Sequence, residues 1–243
     1  MQAPKAIFFD LDETLIENII PIQEVFASMY GEFEAELGSG QRSEFFTALR
    51  RGAGALWNTM FEQEHSPEQQ LVGCFAQAIE AVKPGAGEQL GEAMLQRFIC
   101  ATQDNVRFHP GAETTLQELR KAGIVTGLIT NGIERLQLAK VESLNIASMV
   151  DHVTVSAQAR AHKPHAPVFE LALQRGGVVA AEAWQIGDHA LNDVAGAIRV
   201  GMQGVFYDPS GKRLSNAFDD LQERPNHTIR HLEQVLELAG VAA

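Results

Sequence analysis

The sequence has little cysteine and no long apolar run. Cys74 and Cys100 are the only cysteines among the 243 residues, which excludes a disulfide framework and favours a reducing compartment. The apolar runs are too short to cross a bilayer. The N-terminal stretch MQAPKAIFFD has no secretory pattern, because Asp10 ends its apolar part. We therefore expect a cytoplasmic protein with no membrane partner.

Basic residues are also few, at 19 Lys and Arg against 31 Asp and Glu, giving a formal charge of −12. This balance argues against a nucleic-acid binder, which needs a basic surface. It does not exclude an anionic small substrate, because a metal ion and one or two basic residues can reverse the local sign. The sequence indicates no particular oligomeric state.

The chain combines a helical stretch with an alternating one. A buried strand opens the stretch AIFFDLDETL, and apolar residues then recur at helical spacing over residues 21–102, which predicts roughly four helices without a strand. Strand and helix patterns alternate afterwards. Strands are predicted at residues 124–130, 153–155, 183–188 and 203–208, and helices at about 111–123, 134–143, 166–175, 190–199 and 229–238.

This order of elements predicts an α/β fold. Alternating strands and helices indicate a three-layer, Rossmann-like core whose mostly parallel sheet has five or more strands covered on both faces. We predict that this core comprises residues 1–16 and 106–243. Residues 17–105 would form an all-helical domain inserted after the first strand.

Polar residues gather where the predicted strands end. They are Asp10, Asp12, Thr130, Asn131, Gly132, Lys163, Asp188 and Asp193. Each alone has an ordinary explanation as a helix cap, a turn former or an exposed side chain. Parallel sheets, however, bind ligands beyond the carboxyl ends of their strands. Together, these residues therefore indicate one functional site.

Phosphoryl transfer through a carboxylate would use such a set. Asp10 could attack phosphorus as a covalent nucleophile. Mg²⁺ prefers oxygen ligands, which Asp10 and Asp188 would supply, and the cation would reduce repulsion between the reacting anions. Lys163 could neutralise charge and Thr130 could donate a hydrogen bond to a phosphoryl oxygen. Asp12 could protonate the leaving group and then deprotonate water.

Four motifs give the sequence a recognisable pattern. DLDETL at 10–15, LITNG at 128–132, HKP at 162–164 and IGDHALND at 186–193 resemble, in order, the motifs of the haloacid dehalogenase-like hydrolases. The resemblance covers residues 1–15 and about 108–210. It implies that Asp10 is the nucleophile and Asp12 the general acid and base.

The same resemblance implies the remaining roles. Phosphate would be bound by Thr130, Asn131, Gly132 and Lys163. Mg²⁺ would be held by the Asp10 and Asp188 carboxylates and the Asp12 backbone carbonyl, with support from Asp193.

The resemblance further implies a phosphatase. Dehalogenases of the family lack an acid at the position of Asp12, and mutases usually carry Ser after the position of Thr130. We expect Mg²⁺-dependent hydrolysis of a small phosphorylated metabolite, with nucleotides, flavin mononucleotide and sugar phosphates as alternatives. Glu13 replaces a Gly of the phosphoglycolate-phosphatase branch, which argues against that substrate. The rival functions are a phospho-accepting, receiver-like signalling domain and a silent binding module.

The helical insertion resembles the type 1 cap of this family. A cap of this kind excludes water and contributes side chains that select the substrate. The candidates for that role are Asn18, Arg42, Arg50, Arg51, Trp57 and Asn58. The structural alternatives are packing in the cap core for Trp57, and a solvated face or an ion pair for Arg50 and Arg51.

Overall fold

The computed structural model describes residues 3–241, except for the side chains of Asn58 and Ser215. The strands are β1 (Ala6–Phe9), β2 (Ile16–Asn18), β3 (Val106–Phe108), β4 (Val125–Thr130), β5 (His152–Val155), β6 (Ala183–Gly187), β7 (Gln203–Tyr207) and β8 (His227–Ile229). The helices are α1 (Ile22–Glu32), α2 (Glu34–Leu37), α3 (Arg42–Thr59), α4 (Pro67–Val82), α5 (Gly87–Gln103), α6 (Ala112–Lys121), α7 (Glu134–Ser143), α8 (Ser156–Ala159), α9 (Ala166–Gly176), α10 (Gly196–Arg199), α11 (Leu214–Ala217) and α12 (Gln234–Ala239). A π-helical turn, Ala190–Ala195, precedes α10.

The main sheet has six strands in the order β5-β4-β1-β6-β7-β8, and its neighbouring strands run parallel. β1 lies between β4 and β6, with Phe9 opposite Leu128 on one side and Ile186 on the other. Such a central strand is covered on both faces, which is why AIFF is apolar throughout and fully buried. The parallel register brings the ends of β1, β4 and β6 to the same edge.

Helices cover both faces of this sheet. Ile7 and Phe9 of β1 pack in a cluster with residues of α6 and α12, whereas Ala6 and Phe8 pack in a second cluster with residues of α9. Alternate side chains of a strand point to opposite faces, so one short strand contributes to both layers. The predicted three-layer α/β fold with a mostly parallel sheet is confirmed.

The described chain divides into two compact units. One contains the residues up to Asn18, Val106–Gly132 and the residues from Val141 onward, and the other contains Ile19–Asn105 and Ile133–Lys140. The second unit thus includes the first turns of α7, and Ile133 packs in its apolar cluster. The domain boundaries at residues 16/17 and 105/106 stay a prediction.

The second unit is helical, as expected from its apolar spacing. It contains four helices of 11 to 18 residues, α1, α3, α4 and α5, and the single-turn α2. The side chain of Ser66 accepts a hydrogen bond from the Gln69 backbone N–H and the Gln69 side chain reaches back, so a capping box starts α4. Within the described residues, no helix is long and apolar enough to span a membrane.

Three short strands, β2, β3 and β8, were not predicted from the sequence. Residues 229–238 were predicted as one helix, but they contain the end of β8 and then α12. Ile229 is buried and its carbonyl accepts the Asp208 N–H, so a short edge strand replaces the first helical turn. The antiparallel pair β2–β3 places Glu17 opposite Arg107, 90 residues further along the chain, a pairing that local patterns do not reveal.

Candidate active site

The predicted acids and the lysine come together at the carboxyl edge of the main sheet. Asp10 follows β1 directly, Thr130 is the last residue of β4, and Asp188 follows β6. Asp193 lies in the π-helical turn after β6, and its side chain is buried. Parallel register is the reason that residues so far apart in sequence share this edge.

Lys163 is the central cation of the site. Its Nζ donates to Asp10 Oδ1 at 2.7 Å, to Asp193 Oδ1 at 2.6 Å and to the Ile129 carbonyl at 2.7 Å. Only 4% of the residue is exposed. Three acceptors satisfy the three donors of the ammonium group, as a buried charge requires.

Asp10, Asp188 and Asp193 form a cluster that could hold a metal ion. One carboxylate oxygen from each lies within 4.8 Å of the others. Arg213 Nη2 donates to Asp188 Oδ2 at 2.6 Å. Both Lys163 and Arg213 therefore form ion pairs with these acids. Asp10, Asp188 and Asp193 carry one formal negative charge more than Lys163 and Arg213, and Asp12 adds a second when it is ionised. Oxygen donors and an excess of formal negative charge fit a divalent cation such as Mg²⁺.

The pKa values reflect this excess of acids. Burial raises the pKa of Asp10 to about 8 against the opposing charge of Lys163, and Asp193 and Asp12 add to the rise. Burial also raises the pKa of Asp188, while its hydrogen bond from Arg213 opposes that shift. Burial lowers the pKa of Lys163, but Asp10 and Asp193 outweigh it and the net shift is upward. The lysine is therefore held as a cation.

The turn after β4 is fixed by hydrogen bonds to two other segments, the backbone of Lys163 and the side chain of Ser156. The Asn131 amide bridges the Lys163 backbone, accepting from its N–H at 2.7 Å and donating to its carbonyl at 3.1 Å. The Gly132 N–H donates to Ser156 Oγ at 3.0 Å, and that oxygen lies 2.9 Å from His162 Nδ1. Burial lowers the pKa of His162 to about 4. The side chain of Asn131 is thus engaged with the backbone of Lys163.

Asp12 and Asn18 lie in the same unit as this site. Asp12 is half-buried in the turn after β1, where it forms a backbone bridge with Ile16. Its charge is near enough to Asp10 to raise the pKa of that carboxyl. Asn18 is exposed at the end of β2, and its amide lies 3.3 Å from Glu13 Oε1.

The other specificity candidates lie on α3 of the helical unit. Three arginines of this helix are exposed to solvent: Arg42, Arg50 and Arg51. The Arg42 guanidinium lies 5.7 Å from the centre of the Phe46 ring. Core packing was the structural alternative for Trp57 and is wrong, because 49% of this residue is exposed. The buried residues of α3 include Phe45, Leu49 and Leu56, and Trp57, the position after Leu56, faces away from them. The side chain of Asn58 lies outside the described part of the chain.

Three residues of the site were not found from the sequence. Ser156 starts α8 after β5, Gln185 lies in β6 with its Nε2 at 3.3 Å from Asp193 Oδ1, and Arg213 follows β7. Each follows or belongs to a strand of the main sheet, and this placement is the only signal that the sequence offered. No local sequence pattern distinguishes this serine, glutamine and arginine from other polar residues.

Comparison with known proteins agrees with this geometry. Residues 7–206 match the haloacid dehalogenase-like hydrolase family, and the chain belongs to that family. It is 30% identical to a ribulose-1,5-bisphosphate 5-phosphatase of Halopiger xanaduensis over 97% of this chain and 99% of the relative. It is also 30% identical to a glyceraldehyde 3-phosphate phosphatase of Pyrococcus furiosus, over 98% and 94% of the two chains.

These relatives identify the chain as a phosphatase within the family. Among solved structures, a 2-haloacid dehalogenase from Pseudomonas syringae pv. tomato is 26% identical, with a TM-score of 0.79 over 98% of this chain and 100% of that one. The fold is therefore shared by phosphatases and dehalogenases, and the side chains of the site must separate the two reactions.

Gly187, at the end of β6, allows Asp193 to approach the sheet. A Cβ at this position would lie 2.2 Å from Asp193 Cγ. Gly187→Ala should therefore displace the buried carboxylate and lower phosphatase activity about 100-fold, as a misplacement near 1 Å can do. Turnover of p-nitrophenyl phosphate measures this loss.

Gly73→Ala is the matched control. Gly73 lies in α4, and a Cβ added there would meet nothing within 4 Å. This variant should keep wild-type turnover and gain up to about 1 kcal/mol of stability from helix propensity. Wild-type turnover in Gly187→Ala would contradict the tight packing of Asp193 against β6.

Proposed function

We propose that the chain hydrolyses a small phosphorylated metabolite in the presence of a divalent cation, through an aspartyl-phosphate formed on Asp10. The observation that carries the proposal is the contact of Lys163 Nζ with both Asp10 and Asp193, beside the Asp188 carboxylate. This arrangement places a nucleophile of suitable type, a fixed positive charge and a potential cation site together. Phosphoryl transfer requires these three features.

The donor set supports Mg²⁺ as the cofactor. Asp10, Asp188 and Asp193 offer only oxygen, and these three acids outnumber Lys163 and Arg213, the cationic side chains paired with them, by one formal charge. Asp10, Asp188 and the Asp12 backbone carbonyl would hold the ion, with Asp193 in support. When bound, Mg²⁺ would reduce the repulsion between the nucleophile and the phosphoryl oxygens.

The chain's own residues would perform the two chemical steps. Asp10 attacks phosphorus, an Asp10–phosphorus bond forms, and the ester oxygen leaves with a proton from Asp12. Asp12, now a carboxylate, takes a proton from water as the water oxygen attacks phosphorus. The Asp10–phosphorus bond then breaks and inorganic phosphate is released. Lys163 offsets charge at Asp10 during both steps.

Thr130 would bind the phosphoryl group. It is the last residue of β4 and is buried at the sheet edge that holds Asp10. Its hydroxyl can donate to a phosphoryl oxygen, together with the backbone N–H of Asn131, whereas the Gly132 N–H already donates to Ser156 Oγ. Because the leaving ester oxygen requires a proton and a halide does not, Asp12 favours phosphate release over dehalogenation.

Sugar phosphates are the substrate class that we propose. The support comes from the relatives whose names specify ribulose-1,5-bisphosphate and glyceraldehyde 3-phosphate, each aligned over nearly the whole chain. Substrate choice would depend in part on Asn18 and on the residues of α3 named above, among them Arg42, Arg50, Arg51 and Trp57. Arginine side chains suit this role because they bind phosphate and carboxylate groups through paired hydrogen bonds.

Removal of the nucleophile or of the cation should abolish hydrolysis. We expect Asp10→Asn to lose turnover of p-nitrophenyl phosphate almost completely, since an amide does not attack phosphorus. A chelator should have the same effect on the wild type, and added Mg²⁺ should reverse it. Released inorganic phosphate is the measurement.

Asp104→Asn is a suitable control, because Asp104 is exposed in the helical unit. Its turnover should match the wild type. Unchanged hydrolysis in Asp10→Asn would contradict the proposed nucleophile. Halide release from 2-chloropropionate without phosphate release would favour a dehalogenase. A stable phospho-Asp10 without turnover would favour the receiver-like function. Absence of both phosphorylation and turnover would favour the silent binding module.

A substrate panel tests the proposed class separately. We expect kcat/KM to be higher for triose, pentose and hexose phosphates than for nucleoside monophosphates, flavin mononucleotide or phosphoserine. Phosphate release at equal substrate and Mg²⁺ concentrations provides the comparison. A nucleotide as the best substrate would overturn the sugar-phosphate assignment and leave the phosphatase mechanism intact.

A further inference from the structure

Arg213 contacts the site from a loop that lies outside the four motifs. Its Nη2 donates to Asp188 Oδ2 at 2.6 Å and to the Asp188 carbonyl at 2.9 Å. One guanidinium nitrogen thus binds both the side chain and the backbone of the same residue. The contact fixes the direction of the Asp188 carboxylate and engages only one of its two oxygens with the guanidinium.

The loop that carries Arg213 is fixed by the carboxylate of Asp208. Asp208 Oδ2 accepts the N–H groups of Arg213 at 2.8 Å and Leu214 at 3.1 Å. Its other oxygen accepts the Ser210 hydroxyl at 2.7 Å and the Gly211 N–H at 3.0 Å. Asp208 is 1% exposed, and its own N–H pairs with β8. A buried carboxylate with four donors therefore holds the loop against the sheet.

We propose that Arg213 is a positioning residue that orients Asp188 for binding a divalent cation. This inference rests on the proposed function, in which Asp188 is a ligand of that cation. A partner that orients a ligand lowers the cost of arranging it on binding, and loss of such a partner typically weakens metal affinity about 10- to 100-fold. Because Arg213 acts through Asp188, its loss should affect cation affinity and leave the chemical steps intact.

The chain offers a matched arginine–carboxylate pair away from the site. Arg199 Nε and Nη2 donate to Glu223 at 2.8 and 3.0 Å. The side chains of this pair are 45% and 17% exposed, against 44% and 13% for Arg213 and Asp188. The two arginines are therefore equally exposed, and a general effect of losing a surface arginine should appear in both variants.

The experiment measures Mg²⁺ binding to the substrate-free protein by calorimetry, for the wild type, Arg213→Gln, Arg213→Lys and Arg199→Gln. We expect Arg213→Gln to weaken binding at least tenfold and Arg199→Gln to bind as the wild type does. Arg213→Lys should be intermediate, because it keeps the charge without the planar fork of the guanidinium. Thermal unfolding of each variant shows that it is folded.

Turnover supplies the second readout. In Arg213→Gln, the Mg²⁺ concentration for half-maximal hydrolysis of p-nitrophenyl phosphate should rise by the same factor, and kcat at saturating Mg²⁺ should return close to the wild-type value. Wild-type or tighter Mg²⁺ binding in Arg213→Gln would overturn the inference, with the proposed function intact. Absence of Mg²⁺ binding and of Mg²⁺-dependent turnover in the wild type would overturn the proposed function and this inference together.

Discussion

The buried ammonium group of Lys163 is the interaction on which the site depends. It joins Asp10 after β1, the Ile129 carbonyl in β4 and Asp193 in the π-helical turn, with contacts of 2.6 to 2.7 Å. Loss of one partner of a buried ion pair typically costs about 3–5 kcal/mol, because the other charge stays buried without compensation. Three segments distant in sequence are therefore held at one place by one charge.

Lys163 and Arg213, the two basic residues that contact the acids of the site, differ in how far they are buried. The side chain of Lys163 is 2% exposed and contacts Asp10 and Asp193, whereas that of Arg213 is 44% exposed and contacts Asp188. Solvent screens the second pair far more than the first. Lys163 accordingly sets the electrostatics at Asp10, and the role of Arg213 is chiefly geometric. A divalent cation would balance the formal negative charge that these two side chains leave at the site.

The sequence predicted the parts of the fold that depend on local patterns. β1 and β4–β7 are short apolar runs and the inserted helices show helical spacing, and parallel pairing then places Asp10, Thr130 and Asp188 at one edge. The rest depends on contacts between distant segments. The β2–β3 pair joins residues 90 positions apart and the Arg213–Asp188 contact joins residues 25 positions apart, without any local pattern. The exposure of Trp57 depends on the exact phase of α3, which spacing alone left open.

Detection of phosphate on Asp10 is the most direct test of the central claim. Asp12→Asn removes the group that would activate water, while p-nitrophenolate leaves readily without a proton. After rapid mixing of this variant with p-nitrophenyl phosphate and Mg²⁺, acid quenching and peptide mass spectrometry should show phosphate accumulated on Asp10, with slow release. Wild-type turnover in Asp12→Asn, or a quenched peptide without phosphate on Asp10 during turnover, would contradict the account.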